Sequence, residues 1–233
     1  MTDRSTHRKA SSNRPDGSDE WPRSEALSKD LELYVAAVEE FFPYVAAQLS
    51  MRQYAAVPGE NYFAEEIEME REVLRTQLAG PLPRAIRGSA LVVLYSAFET
   101  TTLNSAKTLS RVLECPSFDP QSERGQFSIK AERYFSEIVK VKLFSGKHES
   151  AGIDTLKALR HSFVHRQSAV DTLPKWLRAE MTTPKSQLTQ CDIHEGIWIP
   201  SIECVKGHAA LMSDWGRRLI ERTIDRVGLD TFL

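Results

Sequence analysis

The sequence predicts an all-α protein, an up-and-down helical bundle with a small β-hairpin inserted before the last helix. Three observations carry that expectation. Apolar residues recur at threes and fours through six stretches, which is the period of an amphipathic helix. Strict alternation is confined to one stretch, "TQCDIHEGIWIPSI", around a glycine-containing centre. Proline, glycine and aspartate cluster between the periodic stretches, where a bundle needs short connections.

Residues 1–22, "MTDRSTHRKASSNRPDGSDEWP", hold almost no apolar side chains, so they bury too little surface to offset ordering entropy. A disordered tail is expected there, with Arg4, Arg8, Lys9 and Arg14 as solvated charges. Residues 23–233 then form one domain, with its core at 25–170. Ser24 is placed to cap a first helix whose stripe is Leu27, Leu31, Val35, Val38, Phe42 and Val45, kinked at Pro43. "ENYFAEEIEMEREVLRTQLAG" gives a second helix, acidic early and basic late as the helix dipole favours, ending at Gly80. A third, from about 83 to 114, is apolar nearly all round in its first half and therefore central. Ser96 and Glu99 sit inside that stretch, and a carboxylate in such a setting needs a partner.

"ECPSFDPQSERGQ" reads as a loop, "SIKAERYFSEIVKVKLF" as a fourth helix and "GIDTLKALRHSFVHRQSAV" as a fifth. Residues 171–189, punctuated by proline and threonine, read as irregular. The hairpin is expected at about 188–202. The last helix follows at about 202–228, with Ile202, Val205, Leu211, Trp215, Leu219 and Ile224 on or near one stripe.

Composition narrows the function. With 41% apolar and 27% charged residues the chain can build a real core, and a net charge of −2 removes any whole-protein argument for polyanion binding. Nucleic-acid binding would have to rest on a local patch. Three widely spaced cysteines, Cys115, Cys191 and Cys204, without a secretory leader fit a reducing compartment, so a cytoplasmic protein is expected. The most apolar stretch, "SALVVLYSAF", is broken by serines and soon followed by Glu99, well short of a membrane span. No glycine-rich phosphate loop, G-x-S-x-G elbow or paired-carboxylate motif occurs, which disfavours those enzyme classes.

Chemistry concentrates in the fifth helix, in "LRHSFVH", residues 159–165. At about 100° per residue, Ile153, Leu156, Leu159 and Phe163 define an apolar face with Arg160 on its edge. An arginine there must be paired or point into a polar cleft. His161 and His165 lie within roughly 40° of each other, whereas Arg160 and His165 are about 140° apart. One protomer therefore aims Arg160 and His165 in different directions, unless the helix ends or a second copy completes the site.

The run Arg160-His161-Ser162-Phe163-Val164-His165 resembles the R-x(4–6)-H motif of the HEPN superfamily, in which a polar Asn, Asp or His commonly follows the arginine. "YSAFETTTLN", residues 95–104, resembles the superfamily's inner helix, with Ser96 and Glu99 as its small or polar and its acidic residue. The likeness covers roughly residues 25–170 and is close in pattern to the RiboL-PSP-type or MAE-type groups. It implies a homodimer whose motif helices meet in a composite cleft that cuts RNA without a metal or other cofactor. Arg160 and His165 would be catalytic, with His161 and Ser162 auxiliary, Glu99 orienting Arg160, and Ser96 beside it. A role as a toxin or antiviral defence effector, with an antitoxin or other neighbouring partner protein, would follow from the same likeness.

Other readings of these residues stay open. Glu99 and Arg160 could form a buried pair that fixes helix register, with His161 and His165 as surface residues. Many members of the superfamily keep the bundle without activity, as modules that bind RNA, a nucleotide or a partner. His161 and His165 have the spacing of helical zinc ligands but lack the H-E-x-x-H glutamate. Cys191, His194, Cys204 and His208 form a second candidate set, although residues three apart on a strand project to opposite sides. Arginines 217, 218, 222 and 226, interleaved with Glu221 and Asp225, read as the solvated face of the last helix.

Overall fold

The computed structural model describes residues 81–121, 125–182 and 186–228, together with nine isolated helical positions between residues 30 and 76. The tail at 1–22, the Ser24 cap, the Pro43 kink and the stop at Gly80 lie outside the described residues. Five helices and one hairpin follow from Pro81: α1 (Pro81–Val112), α2 (Phe127–Tyr134), α3 (Lys147–Arg166), α4 (Lys175–Thr182), β1 (Cys191–His194), β2 (Ile197–Pro200) and α5 (Ile202–Val227). The chain is mostly helical, and the antiparallel hairpin precedes the last helix as its alternating pattern predicts.

Helix α1 is the central element. Pro81 and Pro83 sit in its first turn, where no backbone donor is needed. Leu91, Leu94, Tyr95, Phe98 and Leu109 are buried along it. Its buried hydroxyls are satisfied within the helix, Thr102 donating to Phe98 O at 2.8 Å and Ser105 to Thr101 O at 2.7 Å. Phe98 anchors the core against Trp215 of α5, with ring centroids 4.9 Å apart, and stacks on Phe144 at 6.2 Å. At its N-terminal end α1 meets α3 so closely that a Cβ on Gly88 would stand 2.1 Å from the ring of Phe163. Only glycine leaves that space.

The fourth predicted helix is shorter than its pattern. Helix α2 passes into a π-helical turn, Phe135–Val139, and stops where Lys140 adopts φ 64°. The loop that follows is clasped by α5: Trp215 Nε1 and Arg222 Nη2 donate to Leu143 O at 3.1 and 3.4 Å, and Arg226 Nε donates to Val139 O at 3.1 Å. Arg222 and Arg226 were expected on a solvated face. Arg226 does stay exposed, with its Nε on Val139 O at the end of the π-helical turn, whereas Arg222 is half-buried and spends its Nη2 on Leu143 O in the loop beyond.

Helix α3 begins earlier than its periodicity indicates. Glu149, in its first turn, reaches back to accept from Ser145 N–H at 2.6 Å, a variant of the capping box. Glu149 also takes Arg218 Nη1 of α5 at 3.0 Å. The region expected to be irregular contains α4, a helix held by only two buried residues, Leu177 and Met181.

The hairpin turns at Glu195 and Gly196, both with positive φ, as a two-residue loop requires. Cys191 faces Pro200 and His194 faces Ile197 across the pair. The free edge of β2 does not stay bare. Val170 N–H donates to Gly196 O at 2.8 Å and Trp198 N–H to Ser168 O at 2.9 Å, so the chain leaving α3 pairs against it. Ser201 then caps α5, its Oγ accepting from Cys204 N–H at 3.0 Å. No helix among the described residues is long and apolar enough to cross a membrane.

Candidate functional site

The sequence of α3 sorts its side chains by phase. Ile153, Leu156 and Leu159 are fully buried, which turns the next position round, Arg160, towards an open cleft of about 830 Å³. Three elements build that cleft. Helix α1 supplies Tyr95 and Glu99 one turn apart, α3 supplies Asp154, Lys157, Arg160 and His161, and α4 with its leading segment supplies Pro174, Trp176 and Glu180. Phe127, at the start of α2, lines it from the side.

Arg160 is half-buried, and its Cζ lies 5.7 Å from the centre of the Tyr95 ring, a cation–π approach. Its Nε is buried without a hydrogen-bond acceptor. Among the described residues Arg160 makes no ion pair, so the expected Glu99–Arg160 bridge is replaced by attraction at longer range. That attraction is still felt. Burial raises the Glu99 carboxyl above the ordinary range and Arg160 opposes the rise. Tyr95 is pushed up to about 12, first by burial and then by Glu99, with Arg160 again opposing. Burial also lowers Lys157, against the pull of Asp154, while its ammonium donates to Gln126 Oε1.

The histidines divide. His161 is exposed and lines the cleft. His165, also exposed, stands beyond the cleft's edge, its ring centroid 4.9 Å from that of His161. Arg160 and His165 thus diverge on one protomer, as the helical phase predicts.

Ser162 and Ser96 are placed elsewhere. Ser162 is buried: its Oγ accepts from Trp198 Nε1 at 2.9 Å and lies 3.1 Å from Thr172 Oγ1. It fastens the hairpin to α3 and does not reach the cleft. Ser96 is exposed, donates to Val92 O at 2.9 Å, and is likewise outside the lining.

Among the described residues no group of three or more His, Cys, Asp or Glu is arranged to hold a metal. His194 projects to the exposed side of the hairpin end. Cys204 Sγ donates to Leu188 O at 3.3 Å, and His208 Nε2 lies 3.2 Å from the same carbonyl. Burial holds the His208 imidazole down to about 4, and therefore neutral. The Cys204 thiol is held well up, first by its hydrogen bond with Cys191 and then by burial. Cys204 and His208 are spent on holding the turn Gln187–Thr189, ahead of the hairpin, against α5.

Sequence reasoning missed Tyr95, Lys157, Trp176 and Glu180. Tyr95 and Lys157 carried a signal, lying one turn from Glu99 and Arg160 on the same faces. Trp176 and Glu180 carried none, because α4 is too short to show a period. No known protein family, curated protein or solved structure matches this chain.

The lining is mixed in charge, Lys157 and Arg160 opposing Glu99, Asp154 and Glu180. Chemically, Arg160 offers a permanent charge to an anion in the cleft. The two histidines offer ring nitrogens that can accept or donate a proton.

Proposed function

We propose that the chain is a HEPN-like, metal-independent endoribonuclease that works as a homodimer. The observation carrying this reading is Arg160: a half-buried guanidinium in an open cleft, with an unsatisfied Nε and no ion pair among the described residues. The guanidinium, which lines the cleft without an ion pair among the described residues, presents its charge to a phosphodiester oxygen. With the phosphate so held, the RNA 2′-oxygen attacks phosphorus and the bond to the 5′-oxygen breaks, giving a cyclic phosphate and a 5′-hydroxyl. One histidine takes the 2′ proton and a protonated one gives a proton to the leaving oxygen. His161 at the cleft edge and His165 of a second copy fill these roles. The dimer is part of the proposal because His165 of a single protomer lies outside the cleft that holds its own Arg160. A toxin or antiviral defence role, with a neighbouring partner protein, extends the same reading.

A second reading is a non-catalytic module that binds RNA, a nucleotide or a partner protein. The same placement of His165 favours it, together with the carboxylates in the lining.

Incubation of purified protein with mixed RNA in EDTA separates the two. Under the nuclease reading, His165→Ala and Arg160→Ala each slow cleavage by about 100-fold or more, by loss of proton transfer and of charge stabilisation. Equal cleavage by wild type and both variants would sink the assignment. Retention of intact RNA by wild type but not by Arg160→Ala establishes the binding module instead.

A further inference from the structure

Trp176 is the one large aromatic side chain of the cleft that remains substantially open, 45% exposed, while Trp198 and Trp215 are fully buried. Its backbone is nonetheless fixed. The adjacent Leu177 is fully buried, and Met181 four residues on is 3% exposed, so α4 is pinned from its inner side and presents the indole outward. Glu180 is the i+4 neighbour of Trp176 and lines the same cleft, so one helix face carries a flat π surface with a carboxylate one turn above it. Across the cleft, α3 sets the cations Lys157 and Arg160. Among the described residues Glu180, like Arg160, is in no ion pair.

We propose that Trp176 and Glu180 form a nucleobase subsite, which stacks a base of single-stranded RNA on the indole and reads its exocyclic amino group with the carboxylate. The inference rests on the RNA-binding reading above and adds to it a base position and a preference. Bases stack on aromatic rings whatever their identity, so Trp176 supplies affinity. A carboxylate only accepts hydrogen bonds, so Glu180 suits the amino groups of adenine, cytosine and guanine and is mismatched to the carbonyls of uracil, which has no amino group. The carboxylates that weaken a purely electrostatic case for polyanion binding thereby acquire a use: the phosphate lies on the α3 wall and the base on the α4 wall. A paired base cannot enter, since its faces are covered and its amino group is engaged. The ligand is therefore a single strand.

The test uses the full-length wild-type protein with short 2′-O-methylated homopolymers, which lack the attacking hydroxyl and stay intact. Oligo(A) and oligo(C) should bind more tightly than oligo(U). Trp176→Ala should weaken oligo(A) binding about tenfold, the scale of one lost base stack, while Trp176→Phe should keep most of the affinity. Glu180→Gln, which both donates and accepts, should erase the preference for amino-bearing bases. Oligo(A) should quench tryptophan emission in wild type and not in Trp176→Phe. Unchanged affinity in Trp176→Ala alongside its loss in Arg160→Ala would overturn the subsite and leave RNA binding standing. A Trp176→Phe variant as weak as Trp176→Ala would also overturn it, because a base stack needs an aromatic face and phenylalanine keeps one. Absence of binding to any strand would bring down the RNA reading itself.

Discussion

The two flanks of α3 treat their acid and arginine in opposite ways. On the flank that meets α5 and the hairpin, Glu149 holds Arg218 at 3.0 Å and the Ser145 amide at 2.6 Å, and Ser162 takes the Trp198 indole at 2.9 Å. On the cleft flank, Glu99 and Arg160 attract one another without joining, and Arg160 Nε has no acceptor. Both flanks join acid and arginine around one helix, but only the first is closed. A folded chain that satisfies one such pair and leaves the other open separates the residues that hold it together from those free to meet a ligand.

The contrast can be broken most forcefully at His208. Buried and held at about 4 against an ordinary 6.5, it binds fewer protons in the folded state than in the unfolded one. Stability is therefore complete above pH 6.5 and declines as pH falls towards 4, by up to about 3 kcal/mol. His208→Gln, which keeps a donor towards Leu188 O, should flatten that decline in urea titrations run across the acid range. A slope that survives the substitution would place the acid lability elsewhere.

Next in size is Glu149→Ala. It strands the Ser145 amide and leaves Arg218 with Asp214 alone, at 3.6 Å, and a loss of about 2 kcal/mol is expected, moderated because the Arg218 side chain is 42% exposed. Thermal unfolding measures it. The smallest effect belongs to Glu99→Gln on the open flank. The raised carboxyl of Glu99 favours its protonated form in the fold, so its contribution is present at acid pH and lost as pH rises above 4.5 through its folded value. The amide removes that loss and should leave stability within about 1 kcal/mol of wild type at neutral pH. A destabilisation as large as that of Glu149→Ala would erase the distinction between the flanks.

How far the sequence alone reaches follows the same division. The buried stripe of α3 and the position of Arg160 at its edge are legible, since period and phase are local properties. So is the hairpin, because alternation around Glu195 and Gly196 is chemically specific. Ser162 could not be placed, as its partners Thr172 and Trp198 are brought to it by tertiary structure. Arg226 stays exposed as its phase predicts, but Arg222 looks solvated only until the loop after the π-helical turn brings Leu143 O to it. The wall of the cleft formed by α4 is the clearest loss. Eight residues with two buried positions are too few to rise above the surrounding prolines and threonines.

Gly88 and Phe163 bear on how this segment can change over generations. Between Arg160 and His165 lie Ser162, bound to the hairpin, and Phe163, seated on the one residue of α1 that has no side chain. An extra residue between Arg160 and Ser162 would swing both anchors by about 100° and drag them off their seats, whereas one after Phe163 would turn only the exposed end of the helix. The spacing of the arginine from its two anchors is thus inherited with the fold, while the helix beyond Phe163, His165 included, is freer to change.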